Sequence, residues 1–255
     1  MTQHQKSGPD VEAMKRRVVA RLAAFGPLEP AEIEHLASLG GEVRMIARGQ
    51  VILSDNQRAG QLELLLDGWA ASTVQLANGS RQIVTINLPG DLLGLPGLGV
   101  RRPIDALVAL TPAVVCAIRG ESIWEMFKGW PGLAARLFLV TQEERAMAME
   151  RLALVGKAPA IARLAATFLR LGERLERLDC GTSDSYDLPI TQKDLADLVG
   201  VTPVHLNGVL SELKRGALVT LEQRHLRILD EPALRDIAQI DPWQFLPPPW
   251  PLGGT

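Results

Sequence analysis

The stretch LPITQKDLADLVGVTPVHLNGVLSELKRGALVTLEQRHLRILD, residues 188–230, decides how the C-terminal part of this chain folds. Thr191 is placed to cap a helix, and Asp194, three positions on, is the shorter version of a capping-box partner. Leu195, Leu198 and Val199 give that helix one apolar face. Gly200 falls where a tight turn between helices needs positive φ, and Thr202 then caps a second helix that opens at Pro203. Val204, Leu206, Val209, Leu210 and Leu213 are its expected buried side. After Gly216, two β-leaning runs, ALVTL and HLRIL, flank a turn at Glu222-Gln223-Arg224 and make a wing. Residues 191–230 therefore read as a winged helix-turn-helix, the unit with which many proteins read double-stranded DNA.

A recognition helix meets base edges with its N-terminal residues and phosphates with its ends. The expected base contacts are Thr202, His205 and Asn207. Asparagine bonds an adenine edge through two hydrogen bonds, and histidine donates to guanine or to phosphate. Gln192, Lys193, Lys214, Arg215 and Arg224 are the expected phosphate contacts. Between Pro189 and Asp230 the basic residues Lys193, Lys214, Arg215, Arg224 and Arg227 are matched by Asp194, Asp197, Glu212, Glu222 and Asp230. Nonspecific affinity should then be modest and salt-sensitive, and dimerisation would be needed to double the contacts.

Working outward, five segments emerge. Residues 1–41 carry helical spacing, with Val11, Met14, Val18 and Leu22 three or four apart and a short second helix from Pro30 to about Leu39; residues 1–9 are expected to fray. Residues 42–120 alternate β-leaning runs (VRMI, QVIL, LELLL, STVQL, RQIVTI, DALVAL, AVVCAI) with glycine turns, the pattern of a sandwich or barrel. Residues 121–157 hold a short helix and a long one from Pro131 to about Val155. On the long helix Leu133, Leu137, Val140, Met147 and Leu154 form a heptad-like seam expected to make a dimer, the alternative being a helix packed on its own β-domain. Residues 158–236 comprise a helix to about Arg177, the polar loop CGTSDSYD read as a linker, and the winged helix-turn-helix. Residues 237–255 form a Pro-rich tail, extended or disordered, which Trp243, Phe245 and Trp250 could pin to a surface.

Composition sets limits. The 255 residues are 47% hydrophobic and carry 27 basic against 29 acidic side chains, net −2, so no global positive field announces a nucleic-acid partner. Cys116 and Cys180 supply neither a disulfide framework nor a metal or iron-sulfur ligand set, and no cofactor is expected. Cys116 reads as a core residue and Cys180 as a possible redox switch in an exposed loop. The first ten residues lack an apolar signal region and no membrane-length apolar run follows, which points to the cytoplasm. The histidines, at 4, 35, 205 and 225, are scattered and no hydrolase, zinc-protease or P-loop motif occurs, so no enzyme is expected. Glu143-Glu144 reads as a solvated helix face.

With ARGQVILSDNQ (47–57), LELLLDGWA (62–70), LPGD (88–91) and the helix-turn-helix, the chain resembles the CRP/FNR superfamily of bacterial transcription regulators from about residue 20 to 235. The resemblance implies an α+β protein: an N-terminal cyclic-nucleotide-binding-type β-roll, a long dimerisation helix, and a C-terminal winged helix that binds a palindromic operator as a homodimer, with RNA polymerase as a further partner. Two departures stand out. Cyclic-nucleotide binders of this fold hold the ribose with a Gly-Glu pair and the phosphate with an arginine. Here LLGLPGLGVRRPIDALVAL (92–110) has Leu95 after Gly94, and Pro103-Ile104 at the phosphate position, with Arg101 or Arg102 as the only substitutes. An effector other than cyclic AMP, or none, is expected. In the recognition helix TPVHLNG (202–208) matches a family pattern, TPVHxNR, until Gly208 replaces an arginine that reads guanine. Trp69, Trp124 and Trp130 are candidates to line an effector pocket. The competing reading is a small-molecule-binding or interaction protein whose helix-turn-helix no longer engages DNA.

Overall fold

The computed structural model describes residues 11–54, 60–101, 103, 105–244, 248 and 252, with side chains from residue 16 onward. The β-leaning runs pair antiparallel into two four-stranded sheets. One has the order β1 (Val43–Ile46), β8 (Ala113–Ile118), β3 (Leu62–Asp67), β6 (Leu92–Leu93); the other has β2 (Val51–Leu53), β7 (Ala106–Ala109), β4 (Ala70–Gln75), β5 (Arg81–Asn87). Ile52, Leu65, Ala70, Leu93, Leu107 and Val115 fill the space between them as one buried cluster. This is a β-roll, with alternate side chains of each strand turned inward. Gly68 shows why the connections need glycine: its φ is 81°, and a Cβ there would stand 2.3 Å from the Pro112 carbonyl oxygen.

Helices α1 (Val11–Ala23) and α2 (Pro30–Ser38) precede the roll, and α3 (Gly120–Gly129) and the 27-residue α4 (Pro131–Lys157) follow it. Pro30 and Pro131 each occupy the first turn, where a missing N–H costs nothing. The expected dimer seam on α4 turns the other way. Leu133 and Val140 are buried in this chain's own core, Leu133 among Leu62, Ile118 and Ile123, while Met147 and Leu154 line a cavity that they share with β5 and the following helix. The heptad spacing thus records packing of the helix on its own domain. At 100° per residue, the exposed apolar side chains Phe138, Met149 (61%) and Leu152 (74%) lie on the opposite face.

Glu143 and Glu144 also depart from the sequence reading, because they are not a solvated face. Glu143 is buried between Arg21 of α1 and Arg177 of α5 (Ala160–Arg177), 2.8 Å from the latter. Asp91, from LPGD, is buried beside it and accepts from Arg21 Nε at 2.9 Å, Arg174 Nη2 at 2.6 Å and the Leu88 amide at 2.8 Å. Burial alone would raise the Asp91 carboxyl, but the guanidiniums of Arg174 and Arg21 outweigh it and hold the pKa below its ordinary value. This network ties α1, the roll, α4 and α5 together.

The polar stretch after α5 is not a linker. It folds as β9 (Gly181–Thr182) and β10 (Ser185–Asp187), and β10 pairs with the wing in a sheet of order β11 (Val219–Glu222), β12 (His225–Ile228), β10, β9. Tyr186 anchors it, fully buried with its hydroxyl donating to the Phe168 carbonyl at 2.6 Å. Between the strands lie α6 (Gln192–Val199) and α7 (Pro203–Arg215), and α8 (Glu231–Ala238) closes the domain. One apolar cluster runs from Trp69, Ile83 and Ile86 of the roll through α5, α6, α7 and α8. Of the tail, Trp243 lies against Arg170, 5.2 Å from guanidinium to ring centroid. The Leu252 carbonyl accepts from Arg136 at 3.1 Å, and Phe245 and Trp250 lie outside the described residues, as do residues 1–9.

Candidate nucleic-acid interface

The two helices of the C-terminal domain begin with local chemistry. The Thr191 side chain accepts from the Asp194 amide at 3.1 Å, and Asp194 accepts in return from the Thr191 amide at 3.1 Å, a complete capping box. Gly200 ends α6 at φ 77°, and the Thr202 hydroxyl then accepts from the His205 amide at 3.2 Å to start α7. Leu206, Val209, Leu210 and Leu213 pack α7 into the core. Val204, expected on that buried side, is instead 82% exposed. It projects from the first turn of α7 beside His205, Asn207 and Gly208, all exposed. At 100° per residue Val204 stands on the side of α7 away from Leu206, Leu210 and Leu213, so helical periodicity itself turns it out of the core.

Gln192, Lys193, Lys214 and Arg224 come together around a concavity of about 500 Å³ between the start of α6, the end of α7 and the wing. Arg215 is exposed on the same helix end but does not line it. Lys214 Nζ donates to the Leu221 carbonyl at 3.0 Å, which fixes it beside the wing with donors to spare. Gln223 and Arg224 both adopt positive φ, 47° and 67°, so the wing turn is a tight one. Sequence reasoning missed His225, whose Nδ1 lies 2.8 Å from Asp187 and whose Nε2 lies 3.0 Å from Ser185, pinning the wing to β10.

The charge balance of this domain changes once its neighbours are in place. Arg81 of β5 bonds Asp197 and Asp194, and Arg48 stands 3.5 Å from Asp194. Burial pushes the Asp194 carboxyl up, but its bonds from Thr191 and Arg81 prevail and keep it below the usual carboxylate range. Two of the five acidic groups counted against DNA are therefore neutralised from the β-roll.

In the roll the described residues of the stretch 92–110 leave little room for a cyclic nucleotide. Gly94 is followed by a short helical turn, Leu95–Gly97, and the space beneath it, lined by Ser54, Gln61, Pro103 and Asp105, holds about 20 Å³, the volume of one water. Among the described residues the charged side chain on that wall is the Asp105 carboxylate, the wrong sign for a phosphodiester. Arg101 is exposed, and Arg102 and Ile104 lie outside the described residues. The tryptophans do not converge: Trp69 belongs to the central cluster, Trp130 stacks on His35 at 4.4 Å, and Trp124 is exposed. His4 lies outside the described residues.

The Cyclic nucleotide-binding domain family model matches residues 43–129, and the Crp-like helix-turn-helix domain model matches residues 162–237. Together the two matches, one to each domain, support a DNA-binding transcription regulator of CRP/FNR type. The regulator is 28% identical over 213 residues to the transcriptional activatory protein AadR of Rhodopseudomonas palustris, covering 83% of this chain and 87% of that one. It is 29% identical over 192 residues to the transcriptional activator protein FnrL of Cereibacter sphaeroides, covering 73% and 76%. The structure of FixK2 from Bradyrhizobium japonicum has the same fold, with TM-score 0.67 at 22% identity over 77% of this chain and 96% of that one.

Cys180 of the regulator is half-buried, with Sγ 3.3 Å from the Leu178 carbonyl. Burial raises its pKa, which disfavours the thiolate that oxidants attack, against the redox role expected from sequence. Among the described residues no group of three or more His, Cys, Asp or Glu could hold a metal, and no helix is long and apolar enough to cross a membrane.

Proposed function

We propose that the regulator binds a palindromic operator as a homodimer, with Thr202, His205 and Asn207 of α7 at the base edges. Gln192, Lys193, Lys214, Arg215 and Arg224 then lie on phosphates. The observation that carries this reading is the face of α7: its first two turns expose His205, Asn207 and Val204 while the opposite side is sunk in the core. Val204 adds an apolar contact suited to a thymine methyl. The Thr202 oxygen is occupied by its cap, but its O–H remains free to donate.

A second copy supplies the other half-site, and Phe138, Met149 and Leu152 are the apolar stripe through which two α4 helices would meet. In this reading the DNA-bound dimer acts on RNA polymerase in the cytoplasm, where its two unpaired thiols stay reduced. Its control comes from an effector other than cyclic AMP, or from none. Footprinting on the regulator's own promoter region, with an Asn207→Ala variant and a salt series, tests the assignment. Expected are a footprint weakened by the variant and an affinity that falls steeply with salt. Equal protection by the variant would remove Asn207 as a base reader.

A further inference from the structure

A cavity of about 110 Å³ lies where β5, α4, α5 and α6 meet, apart from the interior of the β-roll. Its walls are apolar on the side of Val84, Met147 and Leu154, and four arginines reach it. Two are neutralised: Arg170 is bonded to Glu150, itself a wall residue, and to Glu173, and Arg174 to Asp91. Among the described residues the other two have no carboxylate partner. Arg151 donates to the backbone carbonyls of Ile83, at 2.7 Å, and of Val84 and Leu198. Arg163, half-buried on α5, makes no side-chain hydrogen bond among the described residues, and its Nε is buried without a partner. Burial, and then the charge of Arg163, pull Arg151 down to a pKa of about 10. Two guanidiniums held together against apolar walls, one of them with unused donors, are costly unless an anion joins them.

We propose that this cavity binds a short-chain carboxylate, its oxygens on Arg163 and Arg151 and its carbons against Val84, Met147 and Leu154. The planar guanidinium of Arg163 suits a carboxylate held by two bonds. On a scale of about 30 Å³ per water, the space takes roughly four waters, and an ion the size of butyrate displaces a comparable volume. An inorganic oxyanion would satisfy the charges but leave the apolar wall uncovered.

The site also touches the DNA-binding unit. Arg151 holds the Leu198 carbonyl near the end of α6, and Arg163 Nη1 lies 3.8 Å from where a Cβ on Gly200, in the helix-turn-helix turn, would stand. An occupant would therefore bear on how α6 sits against β5. That consequence rests on the DNA-binding reading, whereas binding itself does not.

Titration calorimetry of the full chain with sodium butyrate, inorganic phosphate and butylamine tests the site, with Arg163→Gln and Arg163→Lys as variants. Expected are saturable binding of butyrate, weaker binding of phosphate, none of butylamine, and a loss of about tenfold or more in Arg163→Gln that Arg163→Lys partly restores. Without ligand, Arg163→Gln should melt no lower than the parent, since it loses repulsion rather than a partner. The proposal is overturned by absence of saturable butyrate heat, by phosphate binding more tightly than butyrate, by unchanged binding in Arg163→Gln, or by a lower melting temperature of that variant alone. Operator affinity with and without butyrate is read separately, so a protein that binds the carboxylate but no DNA would sink only the coupling.

Discussion

Arg81 on β5 grips Asp197 on α6 with two guanidinium nitrogens, Nε at 2.8 Å and Nη2 at 2.6 Å. The same Nη2 reaches Asp194 at 2.6 Å, so one side chain of the effector domain holds the first helix of the DNA-binding unit by both of its aspartates. Gln82 extends the grip, donating to the Asp197 carbonyl at 2.6 Å. The roll and the helix-turn-helix are thus joined by charge-assisted bonds at the helix whose N-terminus is proposed to meet phosphate.

Replacing Arg81 with alanine should therefore act twice. It takes the guanidinium from Asp197 and leaves the buried Asp194 with Arg48 alone, at a cost of about 1–3 kcal/mol. It also uncovers negative charge on α6, the helix whose N-terminus is proposed to meet phosphate, so DNA affinity should fall at every salt concentration. Thermal melts and salt-dependent binding of Arg81→Ala check both effects. A variant that melts and binds like the parent would show that the contact contributes nothing in solution.

Much of this molecule could be read from local signals, and what could not is instructive. Caps, turn glycines and alternation belong to neighbouring residues, which is why Thr191, Gly200, Thr202 and the wing turn stand where the sequence put them. Partners distant in the chain leave no such trace. Glu143 looks like a surface acid because nothing near it in sequence reveals Arg21, 122 positions away. The apolar seam on α4 was visible, but periodicity does not say whether a helix face meets its own domain or a second copy. The polar run 180–187 was read by composition, although the alternation around Tyr186 was a faint strand signal. Arg163 carries no local mark, since only the fold shows that among the described residues its guanidinium makes no side-chain hydrogen bond.

The two faces of α4 should separate by mutation. Leu152→Glu places a charge in the exposed stripe and should leave the folded chain monomeric by sedimentation, with weaker operator binding. Leu133→Ala, in the buried face, should cost about 2–5 kcal/mol of stability while the association state stays unchanged. Dissociation by Leu133→Ala but not by Leu152→Glu would reverse the assignment of the faces.

Glu144 makes stability depend on pH. Burial, and then the charge of Asp91, push its carboxyl up to about 7, whereas in the unfolded chain it ionises near 4.5. Between those values the unfolded state releases a proton that the folded state retains, so Glu144 destabilises progressively from about pH 4.5 to 7 and evenly above. Glu144→Gln should raise the melting temperature at pH 8 and leave it unchanged at pH 4.5. Asp91 and Glu143, both held below their ordinary values, act oppositely, and their contribution is lost as acid protonates them. Equal effects of Glu144→Gln at both pH values would show that this carboxyl titrates normally.

Gly208 offers the sharpest test of which surface meets DNA. It sits in the middle of α7 with helical backbone, and a Cβ there would find no heavy atom within 4 Å. Gly208→Ala should therefore stabilise the domain by about 1 kcal/mol through helix propensity, without steric cost. Gly208→Arg should gain most of that stability and also place a guanidinium one turn beyond His205 on the exposed face. If that face enters the major groove, the arginine finds a guanine edge, which is worth about 1–3 kcal/mol at one position of each half-site. Binding-site selection with the two variants reads this directly: Gly208→Arg should tighten binding about tenfold and favour G at a new position, while Gly208→Ala keeps the parent's preference. Gly208→Arg that is stabilised but binds DNA like Gly208→Ala would place this face of α7 away from the bases.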